Sequence, residues 1–297
     1  MAPPFTVLLT ADLCNGPFPE HADPARWEAI YGQAALIRRM VLTLTHGQAR
    51  ITWFVRADPT ITATLGDPLA HFMRFRQQLE GFLAEGDELG FHPHFYEAED
   101  GVWSPSTDDD ANASAFREIG ARVRALPYGI MACRIGEAHM TSRLLSAIAE
   151  AGFAADCTAL PGRVRTEPPT YDWGAAPHTP YRHPNGVWEL PFSMCPIAGP
   201  TEAEPKPRYV NLGFQPSVLQ PALEAWLPDQ DYLCAIIHPS EHLPVDESTE
   251  VRYPLLAFGA EAIANNLLFL GALAARLGRD IRFETASRYA WSLANSN

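Results

Sequence analysis

The chain has 297 residues, 47% of them hydrophobic, with 27 prolines and 20 glycines, which is enough to bury a large α/β core. A formal net charge of −13 argues against a surface for nucleic acid or anionic lipid, since either needs a basic face. The five cysteines, Cys14, Cys133, Cys157, Cys195 and Cys234, are odd in number, widely spaced and without a CxxC pair, which speaks against a disulfide framework and a zinc ribbon.

Short apolar runs alternate with helical patterns along the chain. "FTVLLTAD" (5–12) reads as a buried strand ending in a carboxylate, and residues 28–44 carry apolar side chains at helical spacing. "RITWFVRAD" (50–58) is the next strand, 68–86 a helix stopped by Gly86, and "DELGFHPHF" (87–95) a third strand. A helix over 113–126, a strand at 130–134, a helix at 139–152 and the strand "FAADCT" (153–158) follow. Residues 159–210, rich in Pro, Tyr and His, lack periodicity apart from "GVWELPFS" and read as a long functional loop region over a sheet end. A helix near 216–226, the strand "DYLCAIIHPSEH" (231–242), a helix over 257–277 and the strand at 281–286 close the chain. Repeated βα units of this kind specify a parallel sheet, as a barrel or an open α/β domain, here with 1–297 as one domain. The N-terminus lacks the charged and apolar regions of a secretion signal. The most apolar helical segment, "AIANNLLFLGALAARLG", is interrupted by Asn265, Asn266 and Arg276. The expectation is a cytoplasmic protein without a membrane span.

Asp12, His92 with His94, Arg134, Asp156 and His238 all fall at or just beyond the C-terminal ends of these strands, the rim where α/β folds build their sites. His92 and His94, two residues apart, share one face of an extended strand and can converge on a metal ion; alternatively each bonds a loop carbonyl. Asp12 is either a site carboxylate or a turn residue. Cys14, two residues on, can share its face as a thiolate ligand or serve as a small buried hydrophobe. His238 suits a general acid. Arg134 needs a carboxylate or an anionic substrate as its partner.

The order of these residues resembles the polysaccharide deacetylases of the NodB-homology type, the family 4 carbohydrate esterases, over about residues 5–290. "TVLLTADLCNG" resembles the motif that carries T-F-D-D-G, and "DELGFHPHF" the E-(I/L)-G-x-H motif. "ACRIGEAHMTSRLLSAIAEAGFAADCT" resembles the R-x-G motif with its helix and following strand, "VWELPFS" the E-(I/L)-P motif, and "AIIHPSEH" the terminal histidine motif. The third and last lie nearest the branch associated with surface-polysaccharide synthesis. The resemblance implies a distorted (β/α)7-type barrel and one divalent metal, usually zinc. It also implies hydrolysis of an acyl amide on an amino sugar, supplied as a nucleotide- or lipid-linked precursor. By position Asp12 matches the family's base, His92 its first histidine ligand, Arg134 the arginine that orients the base and His238 the acid. Two positions depart: Leu13 stands where the family has a ligating aspartate, and Tyr96 where it has the second histidine. His94 then stands in for that histidine. Either Asp12 moves to the metal and Asp172 or Glu189 acts as base, or Cys14 ligates and Asp12 keeps its role. A catalytically inactive sugar- or protein-binding relative and another barrel metallohydrolase are the competing readings.

Overall fold

The computed structural model describes residues 4–14, 23–100, 102–243, 254–257 and 259–296; Asn15 and Gly16 of the first motif lie outside them. Among the described residues, nine strands form one sheet: β1 (Phe5–Leu13), β2 (Ile51–Arg56), β3 (Glu88–His92), β4 (Ala132–Cys133), β5 (Ala155–Asp156), β6 (Tyr181–Arg182), β7 (Trp188–Glu189), β8 (Tyr232–Ile237) and β9 (Ile281–Phe283). Their order is β6-β7-β5-β4-β3-β2-β1-β8, with β9 beside the first residues of β1. All pairs are parallel except β6 with β7.

β1, β2 and β8 are buried along their whole length, because a parallel sheet covered on both faces has no solvated side. The two faces differ in what covers them. Odd-numbered residues of β1 (Phe5, Val7, Leu9, Ala11, Leu13) join Trp27, Ile30, Tyr31, Ile37 and Val41 of the helix Pro24–Leu44 in the outer core. Leu8, Phe54, Ala132, Cys157 and Cys234 point the other way, into a smaller inner cluster.

The sheet curls into a half-barrel ringed by helices. The segment after β7 carries the curl: Leu190 N donates to Asp156 O at 2.8 Å, and Ser193 N to Cys234 O at 3.2 Å, so it passes from β5 to β8. The helix Ala286–Ala294 packs Ala286, Tyr289 and Ala290 into the inner cluster. Its first residues bond the starts of β2 and β3, with Ala286 N donating to Thr52 Oγ1 at 3.0 Å and Ser287 N to Glu88 Oε2 at 3.1 Å. It therefore stops the end of the barrel opposite the strand C-termini.

Three sequence expectations change. The helix over 68–86 breaks at Phe75 into Ala70–Arg74 and Arg76–Ala84, where the Phe75 ring is buried in a stack on Tyr31 with centroids 3.7 Å apart. Residues 159–210 hold short strand pairs (Val164–Arg165 with Tyr171–Asp172, Met194–Ile197 with Lys206–Tyr209) and contribute β6 and β7 to the main sheet. The helix Ala286–Ala294 was not anticipated, since its inward residues include two alanines that make little apolar signal.

Candidate active site

Strand alternation decides which side chains meet. On β1 the inward residues are even-numbered, so Thr10, Asp12 and, just beyond, Cys14 face the barrel interior, whereas Leu13 turns into the outer core. The same parity aims His92 inward from the end of β3, Arg134 from the residue after β4 and His238 from the residue after β8. β3 ends at His92 because Pro93 has no N–H to continue the ladder. His94, outside the strand, is held by its backbone N–H, which donates to Asp58 Oδ2 at 3.2 Å; Asp58 is itself fixed by Arg56 at 2.6 Å.

Arg134 organises the floor. Its Nη1 donates to Asp12 Oδ1 at 2.8 Å and to Thr10 Oγ1 at 3.0 Å, and its Nε to Cys157 O at 2.9 Å. The guanidinium lies between the Phe54 and Phe192 rings, 4.3 Å from each centroid, so a fully buried cation is both paired and stacked. The second Asp12 oxygen is 3.7 Å from His92 Nε2 and 3.6 Å from His238 Nε2. Behind His238, Nδ1 is 3.2 Å from Glu241 Oε1, while Asn211 Nδ2 donates to Glu241 Oε2 at 2.9 Å.

This arrangement sorts the protonation states. Burial works against an ionised Asp12, but Arg134, His92 and His238 outweigh it and hold the carboxyl well below the usual carboxylate range. Burial also opposes a charged His238, yet Glu241 and Asp12 raise its pKa well above the ordinary histidine value. His92 and His94 go the other way: burial lowers both, His94 strongly, with Arg56 adding to it. The site thus joins a carboxylate and an imidazolium to two neutral imidazoles.

The neutral pair fits a metal ion. The Arg134 carbonyl lies 2.7 Å from His92 Nδ1, so that nitrogen carries the proton and Nε2 presents its lone pair inward. His92 Nε2 and His94 Nε2 are 3.1 Å apart. The His94 ring is packed on Gly136: a Cβ there would come within 2.3 Å of its Nδ1. Cys14, His92 and His94 bring their ligand atoms within 4.8 Å of one another, and all three are buried.

The remaining expected residues are elsewhere. Asp156 lies on β5 between the inward Ala155 and Cys157, so it points to the outer face, not the rim interior. There it meets Glu189 of β7, its register partner; both are fully buried. Glu189 Oε1 accepts from Ala159 N at 2.9 Å, and His183 Nε2 is 3.3 Å from Oε2. Asp172 is exposed and caps Gly174 N at 3.0 Å, so neither it nor Glu189 joins the Asp12 cluster. Tyr96 is buried and donates its hydroxyl to Glu137. Glu241 and Thr10 escaped the sequence reading, although "HPSEH" places a carboxylate three residues after His238.

The curled sheet with the Asp12, His92, Arg134 and His238 cluster at its strand C-termini has the polysaccharide deacetylase fold. No protein-family model matches the chain, and no curated protein matches its sequence. Among solved structures it is similar to a Mycobacterium smegmatis protein provisionally described as a polysaccharide deacetylase, at 16% identity and TM-score 0.54, covering 99% of this chain and 94% of that one. It is also similar to a 4-alpha-glucanotransferase from Thermococcus litoralis, at 11% identity and TM-score 0.54, over 99% of this chain but 40% of that one. A family 4 carbohydrate esterase from Streptomyces lividans in complex with acetate matches at 10% identity and TM-score 0.40, over 95% and 92% of the two chains. No helix among the described residues is long and apolar enough to cross a membrane.

Proposed function

We propose that the chain is a metal-dependent hydrolase that removes an acetyl or similar acyl group from an amino sugar. Residues 1–297 would form one deacetylase domain, with 159–210 shaping specificity. The observation that carries this reading is the convergence of two neutral histidine nitrogens, 3.1 Å apart, beside a carboxylate held by a buried arginine. A divalent metal bound by His92 and His94 would polarise the amide carbonyl and acidify a bound water. Asp12, kept ionised by Arg134, orients the attacking water and accepts its proton; its low proton affinity makes it a weak base, so fixed position is its main contribution. His238, kept protonated between Asp12 and Glu241, donates to the departing amine nitrogen. A nucleotide- or lipid-linked sugar in the cytoplasm is the substrate setting this reading favours.

The test pairs metal analysis with acetate release from N-acetylglucosamine oligosaccharides. His92→Ala should lose metal and turnover while its circular dichroism stays that of the wild type. Metal content equal to wild type would remove His92 as a ligand. A wild type that holds metal but cleaves no acyl amide across a panel of acylated amino sugars would favour a sugar- or protein-binding role, to which Leu13 and Tyr96 already lend support.

A further inference from the structure

We infer that Cys14 supplies the anionic third ligand of this centre, as a thiolate in place of a carboxylate, and that the site therefore selects zinc-like metals over magnesium, calcium or manganese. This rests on the metal-dependent reading above and specifies its centre. The strand geometry gives the reason. A β strand offers its inner face only every second residue, so the residue after Asp12 points away, and Leu13 is indeed buried in the outer core. The next inward position is Cys14. Asp12 is already committed: one oxygen is bonded to Arg134 at 2.8 Å, and the other sits between His92 and His238. The three residues whose ligand atoms gather are Cys14, His92 and His94, without Asp12.

The distances suit the chemistry. With nitrogen at about 2.0–2.1 Å and sulfur at about 2.3 Å from a tetrahedral zinc, ligand atoms lie roughly 3.3–3.6 Å from one another. The two imidazole nitrogens, 3.1 Å apart, are near that spacing before any metal enters. The sulfur, within 4.8 Å of both, has at most about an ångström to travel. Binding releases the thiol proton to solvent, leaving one anionic and two neutral ligands, the same charge a carboxylate would give. Asp12 thereby remains free for proton transfer. A thiolate is a soft donor, which favours zinc and cobalt(II) and disfavours the hard, oxygen-seeking cations.

Cobalt(II) makes the third ligand visible. The apoprotein, loaded with cobalt, should show intense visible d–d bands together with a near-ultraviolet thiolate-to-cobalt charge-transfer band. Cys14→Ser should lose that band and weaken zinc binding by at least about 100-fold, beyond the loss seen when only an outer-sphere partner is removed. Cys14→Asp should recover metal binding without the band, and with it tolerance for manganese. A wild-type cobalt spectrum lacking the charge-transfer band, or unchanged zinc affinity in Cys14→Ser, overturns the thiolate assignment and leaves the histidine centre standing. A wild type that takes up neither cobalt nor zinc overturns both. If Cys14→Ser does not fold, the wild-type band and Cys14→Asp decide the question alone.

Discussion

The buried carboxyl pair Asp156 and Glu189 should make the fold measurably weaker as pH rises. The two residues are register partners on adjacent strands, and neither has any solvent exposure. Burial, against the opposing hydrogen bond from Ala159 N, pushes Glu189 up to about 8 from 4.5. Burial and the neighbouring Glu189 raise Asp156 well above the carboxylate range. The groups facing the pair are His183, Cys133 and Tyr181, with Arg134 farther in; His183 has its own pKa lowered by burial, so it brings no full positive charge at neutral pH. Each carboxyl therefore keeps a proton that the unfolded chain releases. Between pH 4.5 and about 8 the folded state binds more protons, so stability falls through that window. At about 1.4 kcal/mol per pH unit, the Glu189 window alone amounts to roughly 5 kcal/mol. For a chain of this size that is on the order of 8 °C in Tm. Glu189→Gln keeps an acceptor for Ala159 N and an amide beside Asp156, and it removes the Glu189 proton. Thermal unfolding followed by circular dichroism at pH 5, 7 and 8.5 should show wild type losing stability steeply and the variant clearly less. Parallel curves for the two proteins would refute the reasoning, because every other titrating group is common to both.

His238→Ala should lower turnover about 10²–10⁴-fold while leaving metal content intact, and the wild-type rate should fall as pH rises and the raised imidazolium gives up its proton; an unaffected rate would take His238 out of the mechanism. Gly136→Ala drives a Cβ within 2.3 Å of the His94 ring and must displace it, so zinc affinity should drop about 10–100-fold in a competitive chelator titration. Unchanged affinity would show that the His94 position is not what holds the metal.

Much of the frame was legible because buried parallel strands are written as unbroken apolar runs, as in "FTVLLTADL" and "YLCAII". Their polar ends were legible for the same reason. What a sequence does not carry is the crossing of the chain in space: Arg134 meets Asp12 across 122 residues, and the phenylalanines that sandwich it come from 54 and 192. Asp156 shows the limit most clearly. It sits at a strand end like the others, but β5 pairs over only two residues, too short for its alternation to be read, and it faces the outer layer. In 159–210 the strands are also two to four residues long, so no period could emerge although two of them extend the main sheet. The choice between Asp12 and Cys14 could not be made from spacing, since both share one face; what the structure adds is the bond from Arg134 to Asp12.

The helix Ala286–Ala294 has a consequence for traffic. Ala286, Tyr289 and Ala290 pack into the inner cluster, so among the described residues the end of the barrel opposite Asp12 and His238 is filled with side chains. Nothing threads through that end to reach the cluster, so a molecule bound for Asp12 has to come from the side of the strand C-termini.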